Sequence, residues 1–103
     1  MSLTQQQKLD TILEFQENMS LANLTIEAVA EDFQVAPEKI TRILQLQQNS
    51  IEDPWILKEY LAKKVEEAGQ VPVPFTALVG DYHQYWFLNT RKIDKMKLSR
   101  GNA

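Results

Sequence analysis

Residues 24–46 read LTIEAVAEDFQVAPEKITRILQL, and the spacing of their apolar side chains decides the fold. Two short helices crossing closely need a small residue at the contact, and Ala30 supplies it. Val29 then points inward, and Phe33 lies one turn further along the same face. Val35 plugs the turn, while Ile40 and Ile43, three apart, share one face of the second helix. The pattern predicts a helix-turn-helix, with helices at about residues 26–33 and 37–47.

The ends of these helices carry matching signals. Thr25 is placed to cap the first helix, with Leu24 stapling against Val29. Pro37 suits the first position of the second helix, after a cap at Ala36 and with Val35 facing Ile40. Two positions depart from the favoured pattern. Gln34 stands where glycine often sits and must turn left-handed, and Ala36 has no side-chain acceptor for a cap.

The 103 residues are expected to form a single domain, 44% hydrophobic and folded around a core. Within it, residues 1–48 form the helix-turn-helix core and residues 51–98 a C-terminal extension. There is no cysteine, which excludes disulfides and thiolate metal sites. No apolar run reaches membrane-spanning length and no signal-peptide core opens the chain, so a soluble cytoplasmic protein is expected, with no membrane partner. Charge is unevenly spread. Residues 1–48 hold three basic and seven acidic side chains, a balance of −4. Residues 91–100 hold Arg91, Lys92, Lys95, Lys97 and Arg100 against Asp94, a balance of +4. A phosphate backbone, if bound, would draw on this segment; otherwise it is a solvated tail.

In chain order, Thr4 and Gln7 form a capping-box signature for a first helix running to about Asn18. Leu9, Ile12, Leu13 and Phe15 are assigned to its inner side, and Gln5, Gln6, Lys8, Asp10, Glu14 and Glu17 to its outer side. This helix completes a three-helix core. Asp53 as cap and Pro54 at the first position begin a fourth helix to about Ala68, stopped by Gly69. Its apolar stripe is Trp55, Leu57, Leu61 and Val65, widened by Ile56 and Tyr60. Val71-Pro72-Val73-Pro74 breaks regular structure, Thr76 to Val79 suits one helical turn, and Gly80-Asp81 suits a bend. Asn89 or Thr90 can cap a last basic helix to about Leu98. The class is therefore all-α: a helix-turn-helix, a fourth helix, and an aromatic, partly irregular extension.

The second half also resembles a known family. Asp53-Pro54-Trp55-Ile56-Leu57, the Pro72-Val73-Pro74-Phe75-Thr76-Ala77-Leu78 segment and Tyr85-Trp86-Phe87-Leu88-Asn89 resemble a small bacterial family, domain of unknown function twenty-three-sixteen. The likeness extends to the layout of the N-terminal half. It implies an N-terminal helix-turn-helix with a family-specific extension, and carries over no activity and no functional residue.

Catalytic chemistry finds little support. His83, the single histidine, lies near Asp81, but no nucleophile or oxyanion donor completes a site, so the protein is read as not an enzyme. The three glycines are isolated, no metal-ligand spacing occurs, and no cofactor is implied. Glu52 and Asp53 are explained as helix-start residues. The aromatic residues Tyr82, Tyr85, Trp86 and Phe87 admit three roles: core, dimer interface or base-stacking surface.

Two functions compete. A DNA-binding transcriptional regulator, as a homodimer on double-stranded DNA, would insert residues 37–47 into the major groove. Glu38, Thr41, Arg42 and Gln45 would face bases, with Lys39, Arg91, Lys92, Lys95 and Lys97 on phosphates. A protein-interaction module would instead present the acidic first half, including Glu31, Asp32 and Glu38, to another protein. No small-molecule ligand is inferable.

Overall fold

The computed structural model describes residues 3–47, 52–78, 88–96 and 98, and among these described residues five helices follow one another. They are α1 (Gln5–Leu21), α2 (Ile26–Phe33), α3 (Pro37–Leu44), α4 (Asp53–Glu67) and α5 (Thr90–Asp94). Among the described residues there is no strand, and the fold is all-α. No described helix is long and apolar enough to cross a membrane.

The helix starts follow the side-chain chemistry. The Thr4 hydroxyl accepts from the Gln7 N–H at 3.1 Å while the Gln7 side chain accepts from the Thr4 N–H at 2.9 Å. The expected capping box is thus complete. Thr25 accepts from the Ala28 N–H at 3.1 Å and caps α2. At α3, Ala36 makes no side-chain cap bond, and Pro37 opens the helix without an amide that needs a partner.

The helix ends share a device the sequence reveals at only one or two points. After each helix one residue turns left-handed: Asn23, Gln34, Leu46, Gly69 and Met96. After α1 to α4, its N–H and that of the next residue close back on the last turn. The Gln34 N–H donates to the Glu31 carbonyl at 3.1 Å and the Val35 N–H to the Ala30 carbonyl at 3.0 Å. The same pair of bonds follows α1, α3 and α4, for example from the Leu46 N–H to the Ile43 carbonyl and the Gln47 N–H to the Arg42 carbonyl. This closure ends α3 at Leu44, short of the expected Gln47, and lets α1 run on to Leu21, past the expected Asn18.

α2 packs on α3, and α1 and α3 both pack on α4. Val29, Ala30, Ile40, Ile43 and Leu44 are buried together as expected. α4 is the central element. Asp53, Pro54, Trp55, Ile56 and Leu57 are all buried, because α1, α3 and α5 cover it from different sides. Each fully buried aliphatic side chain here is worth about 1.5–3 kcal/mol of transfer free energy.

The inner face of α1 differs from expectation. Leu9 and Leu13 are 49% and 54% exposed, while Thr11, Glu14, Phe15, Asn18 and Met19 are buried. The reason is what α1 packs against. Beside α4 it holds the irregular segment 72–78, whose backbone needs polar partners. The Asn18 side-chain amide donates to the Val73 carbonyl at 3.0 Å and accepts from the Val73 N–H at 2.9 Å. One carboxylate oxygen of Glu14 accepts from the Thr76 N–H at 3.2 Å and the other from the Thr76 hydroxyl at 2.9 Å. Between them Phe15 meets Phe75 edge-on, with ring centres 5.1 Å apart. Residues 76–78 are bends rather than the expected helical turn.

The last helix is short. α5 ends at Asp94, not Leu98, and the Met96 N–H closes onto the Ile93 carbonyl at 2.9 Å. Leu88, Ile93 and Leu98 are buried against the core and fasten this end of the chain to α4. The expected Gly80-Asp81 bend, His83 and the aromatic residues Tyr82, Tyr85, Trp86 and Phe87 lie outside the described residues.

Candidate functional site

α3 is held by its inner face and offers its outer one. With Ile40, Ile43 and Leu44 buried, Glu38, Thr41 and Gln45 are exposed and Arg42 is half-buried. The Thr41 hydroxyl donates back to the Pro37 carbonyl at 3.2 Å, leaving its oxygen lone pairs outward. These four residues form one stripe along the helix, as their spacing requires.

Lys39 does not join them. Its side chain is 3% exposed, and its ammonium lies 3.7 Å from a carboxylate oxygen of Asp53, itself 1% exposed. The phosphate contact expected of Lys39 is therefore corrected: this cation faces α4. Lys39 lies one turn before Ile43, at the border of the buried face, and its aliphatic stem follows that face inward. Asp53 is corrected with it. Asp53 is inside α4 rather than its cap, and its carboxylate turns to α3. Glu52 occupies the cap position with helical backbone and makes no side-chain cap bond to α4.

Glu52 acts elsewhere. Its carboxylate accepts from the Asn89 N–H at 3.0 Å, at the start of α5. Asn89 is the cap residue of α5 and supplies no side-chain cap bond of its own. Adjacent acids at the head of α4 thus reach two different helices, Asp53 to α3 and Glu52 to α5. The two consecutive carboxylates before Pro54 were the available sequence signal, since one helix start needs only one cap.

Of the remaining candidate cations, Arg91 and Lys92 belong to α5 and Lys95 is the residue that caps its C-terminal end. Arg91 and Lys95 are exposed, four residues apart and so on one side of the helix, while Ile93 is buried. The side chain of Lys92 and all of Lys97 lie outside the described residues. Around α2 and α3 the exposed charge is mostly acidic: Glu27, Glu31 and Glu38. Asp32 is engaged by α4, accepting from the Tyr60 hydroxyl and lying 3.9 Å from the Lys64 ammonium. Burial, reinforced by this hydrogen bond and the Asp32 charge, pushes the Tyr60 phenol above its ordinary range. Tyr60 also meets Phe33 with ring centres 4.8 Å apart, which fixes the end of α2 on α4. Burial lowers the Lys58 ammonium, against the opposing pull of Glu59, and its nitrogen lies 4.9 Å above the Trp55 ring. Among the described residues no three His, Asp or Glu side chains converge as a metal site.

Fold and surface together define a small all-α protein with a turn-linked helix pair, α2 and α3, carried on a central helix. The chain belongs to the bacterial family described as "Uncharacterized protein conserved in bacteria (DUF2316)", which matches residues 1–89. No curated protein and no solved structure matches it. The family match ends at Asn89, so the cations of α5 follow the matched segment.

Proposed function

We propose that the protein is a cytoplasmic helix-turn-helix regulator that binds double-stranded DNA as a homodimer, with α3 as its reading helix. One observation carries this: α3 is anchored by Ile40, Ile43 and Leu44 and presents Glu38, Thr41 and Gln45 outward in one stripe, with Arg42 half-buried between them. These side chains suit base edges, arginine pairing with guanine and glutamine with adenine. Arg91, Lys92, Lys95 and Lys97 would supply phosphate contacts. One such unit reads a half-site, so two-fold pairing gives affinity and register.

The test is selection of bound duplexes from a random pool at low salt. A palindromic sequence should be enriched, and its binding should fall with salt by a slope of about −0.9 per neutralised phosphate. Absence of enrichment would overturn the reading.

A second reading has its own support. With Lys39 turned inward, the exposed charge on α2 and α3 is Glu27, Glu31, Asp32 and Glu38 beside a half-buried Arg42. That surface suits a basic protein partner. Failure to enrich any duplex, together with salt-sensitive binding of a basic partner lost on Glu31→Lys and Glu38→Lys, would favour it.

A further inference from the structure

We infer that Glu52 is a positioning residue for a polyanion-binding surface on α5, formed by Arg91 and Lys95. The inference rests on the DNA reading above and adds to it the source of the electrostatic grip. On α3, Lys39 is held by Asp53 and withdrawn from solvent. Exposed positive charge among the described residues of the C-terminal segment comes from Arg91 and Lys95, on one side of α5.

α5 has five residues, too short to hold itself together in water. Two things fix it. Leu88, Ile93 and Leu98 are buried against the core, and the Glu52 carboxylate holds the Asn89 N–H at 3.0 Å. That bond does the work of the acidic half of a capping box, in which a carboxylate reaches the amide of the cap residue. In α1 the equivalent partner, Gln7, comes from the same helix; in α5 it comes from α4. A negative charge at a helix start also complements the helix dipole. Because Asp53 ties α3 to the same end of α4, the two acids fix α3 and α5 to one short stretch of backbone. The start of α5 and the reading helix are thereby held in a set relation.

The consequence runs against simple charge counting. Removing a carboxylate from a DNA-binding protein removes repulsion and should tighten binding. A carboxylate that positions the phosphate-binding cations should do the opposite.

The experiment compares the full-length wild type, Glu52→Ala, Glu52→Gln, Arg91→Ala/Lys95→Ala and the triple variant, on a duplex bound by the wild type, across a salt series. Hydrogen exchange of residues 89–96 in the free proteins is measured alongside. The Arg91/Lys95 variant should flatten the salt slope by about 1.8 per protomer, and so by about 3.6 for the bound homodimer, at about 0.9 per lost phosphate contact. Glu52→Ala should weaken binding, reproduce most of that flattening, lose protection in α5, and add nothing in the triple variant. Glu52→Gln keeps an oxygen that accepts from Asn89 and should bind as well as the wild type or better. Unchanged or tighter binding by Glu52→Ala overturns the inference while leaving the DNA reading intact. A wild type that binds no duplex overturns both. If Glu52→Ala fails to fold, Glu52→Gln decides: loss of both affinity and α5 protection in that variant overturns the proposed role of the accepting oxygen.

Discussion

Asn18 and Val73 hold each other through both polar groups of each: the side-chain amide gives one hydrogen bond to the backbone carbonyl and takes one from the backbone N–H. Asn18 is fully buried, and its amide also donates to the Glu14 carbonyl at 2.9 Å. Asn18→Ala therefore strands two backbone groups of the 72–78 segment. The expected loss is about 2–4 kcal/mol, since each stranded group costs about 1–3 kcal/mol and half-buried Val73 regains part from water. Asn18→Asp keeps the acceptor but sets a carboxylate against two carbonyls, and should lose at least as much. Urea unfolding measures both; a loss below about 1 kcal/mol for Asn18→Ala would contradict the clamp.

This contact also shows where the sequence stopped being legible. The α2–α3 pair could be read because its interior is side chain against side chain, so apolar spacing reports it directly. The stripe of α4 was legible for the same reason. The inner face of α1 was not. Its partner is partly irregular backbone, so the buried positions include Thr11, Glu14 and Asn18, while Leu9 and Leu13 face outward. Apolar periodicity cannot show a surface whose partner is a row of amides. The candidate site was legible to the same degree: Glu38, Thr41 and Gln45 followed from the helical period, whereas the inward turn of Lys39 depended on Asp53, fourteen residues away in sequence and on another helix.

Gln34 has φ 57° and ψ 46°, a left-handed conformation that costs an L-residue about 1–2 kcal/mol. Gln34→Gly relieves that cost and gives back roughly 0.5–1 kcal/mol through the freedom of the unfolded chain. A net gain of up to about 1 kcal/mol is expected. Gln34→Val should destabilise, because branching at Cβ crowds this conformation further. Thermal unfolding of the two variants should move the midpoint in opposite directions; a stabilising valine would contradict the argument.

Tyr60 predicts a dependence on alkaline pH. Its folded-state pKa is raised, first by burial and then by its hydrogen bond to Asp32 and that carboxylate's charge. The folded protein thus holds the phenol proton more tightly than the unfolded chain does. The associated stability is fully present below the unfolded value of about 10 and is lost as pH rises toward the folded value. Wild-type stability should therefore fall more steeply above about pH 10 than that of Tyr60→Phe. At neutral pH the phenylalanine variant should lose about 0.5–1.5 kcal/mol, the net worth of one hydrogen bond. Parallel curves for the two proteins up to pH 11 would sink this assignment.

The Lys39–Asp53 pair sets the last expectation, because both partners are buried, at 3% and 1% exposure. Desolvating two charges offsets most of their attraction, so the pair adds little net stability compared with apolar residues of similar size. Breaking it from one side is different, since it leaves the other buried charge without this partner. Lys39→Met and Asp53→Leu should each cost about 3–5 kcal/mol, whereas the double variant should recover to within about 1–2 kcal/mol of wild type or exceed it. Urea unfolding of the four proteins gives the coupling energy as the departure from additivity. Additive losses would mean that Lys39 and Asp53 are each satisfied by other groups and that the pair does not join α3 to α4. A large coupling would leave α3 docked in the double variant with the charge removed from its buried side. Under the proposed DNA reading, that variant should then bind duplex DNA with the wild-type salt slope, because in this structure Lys39 faces α4 rather than the stripe of Glu38, Thr41, Arg42 and Gln45.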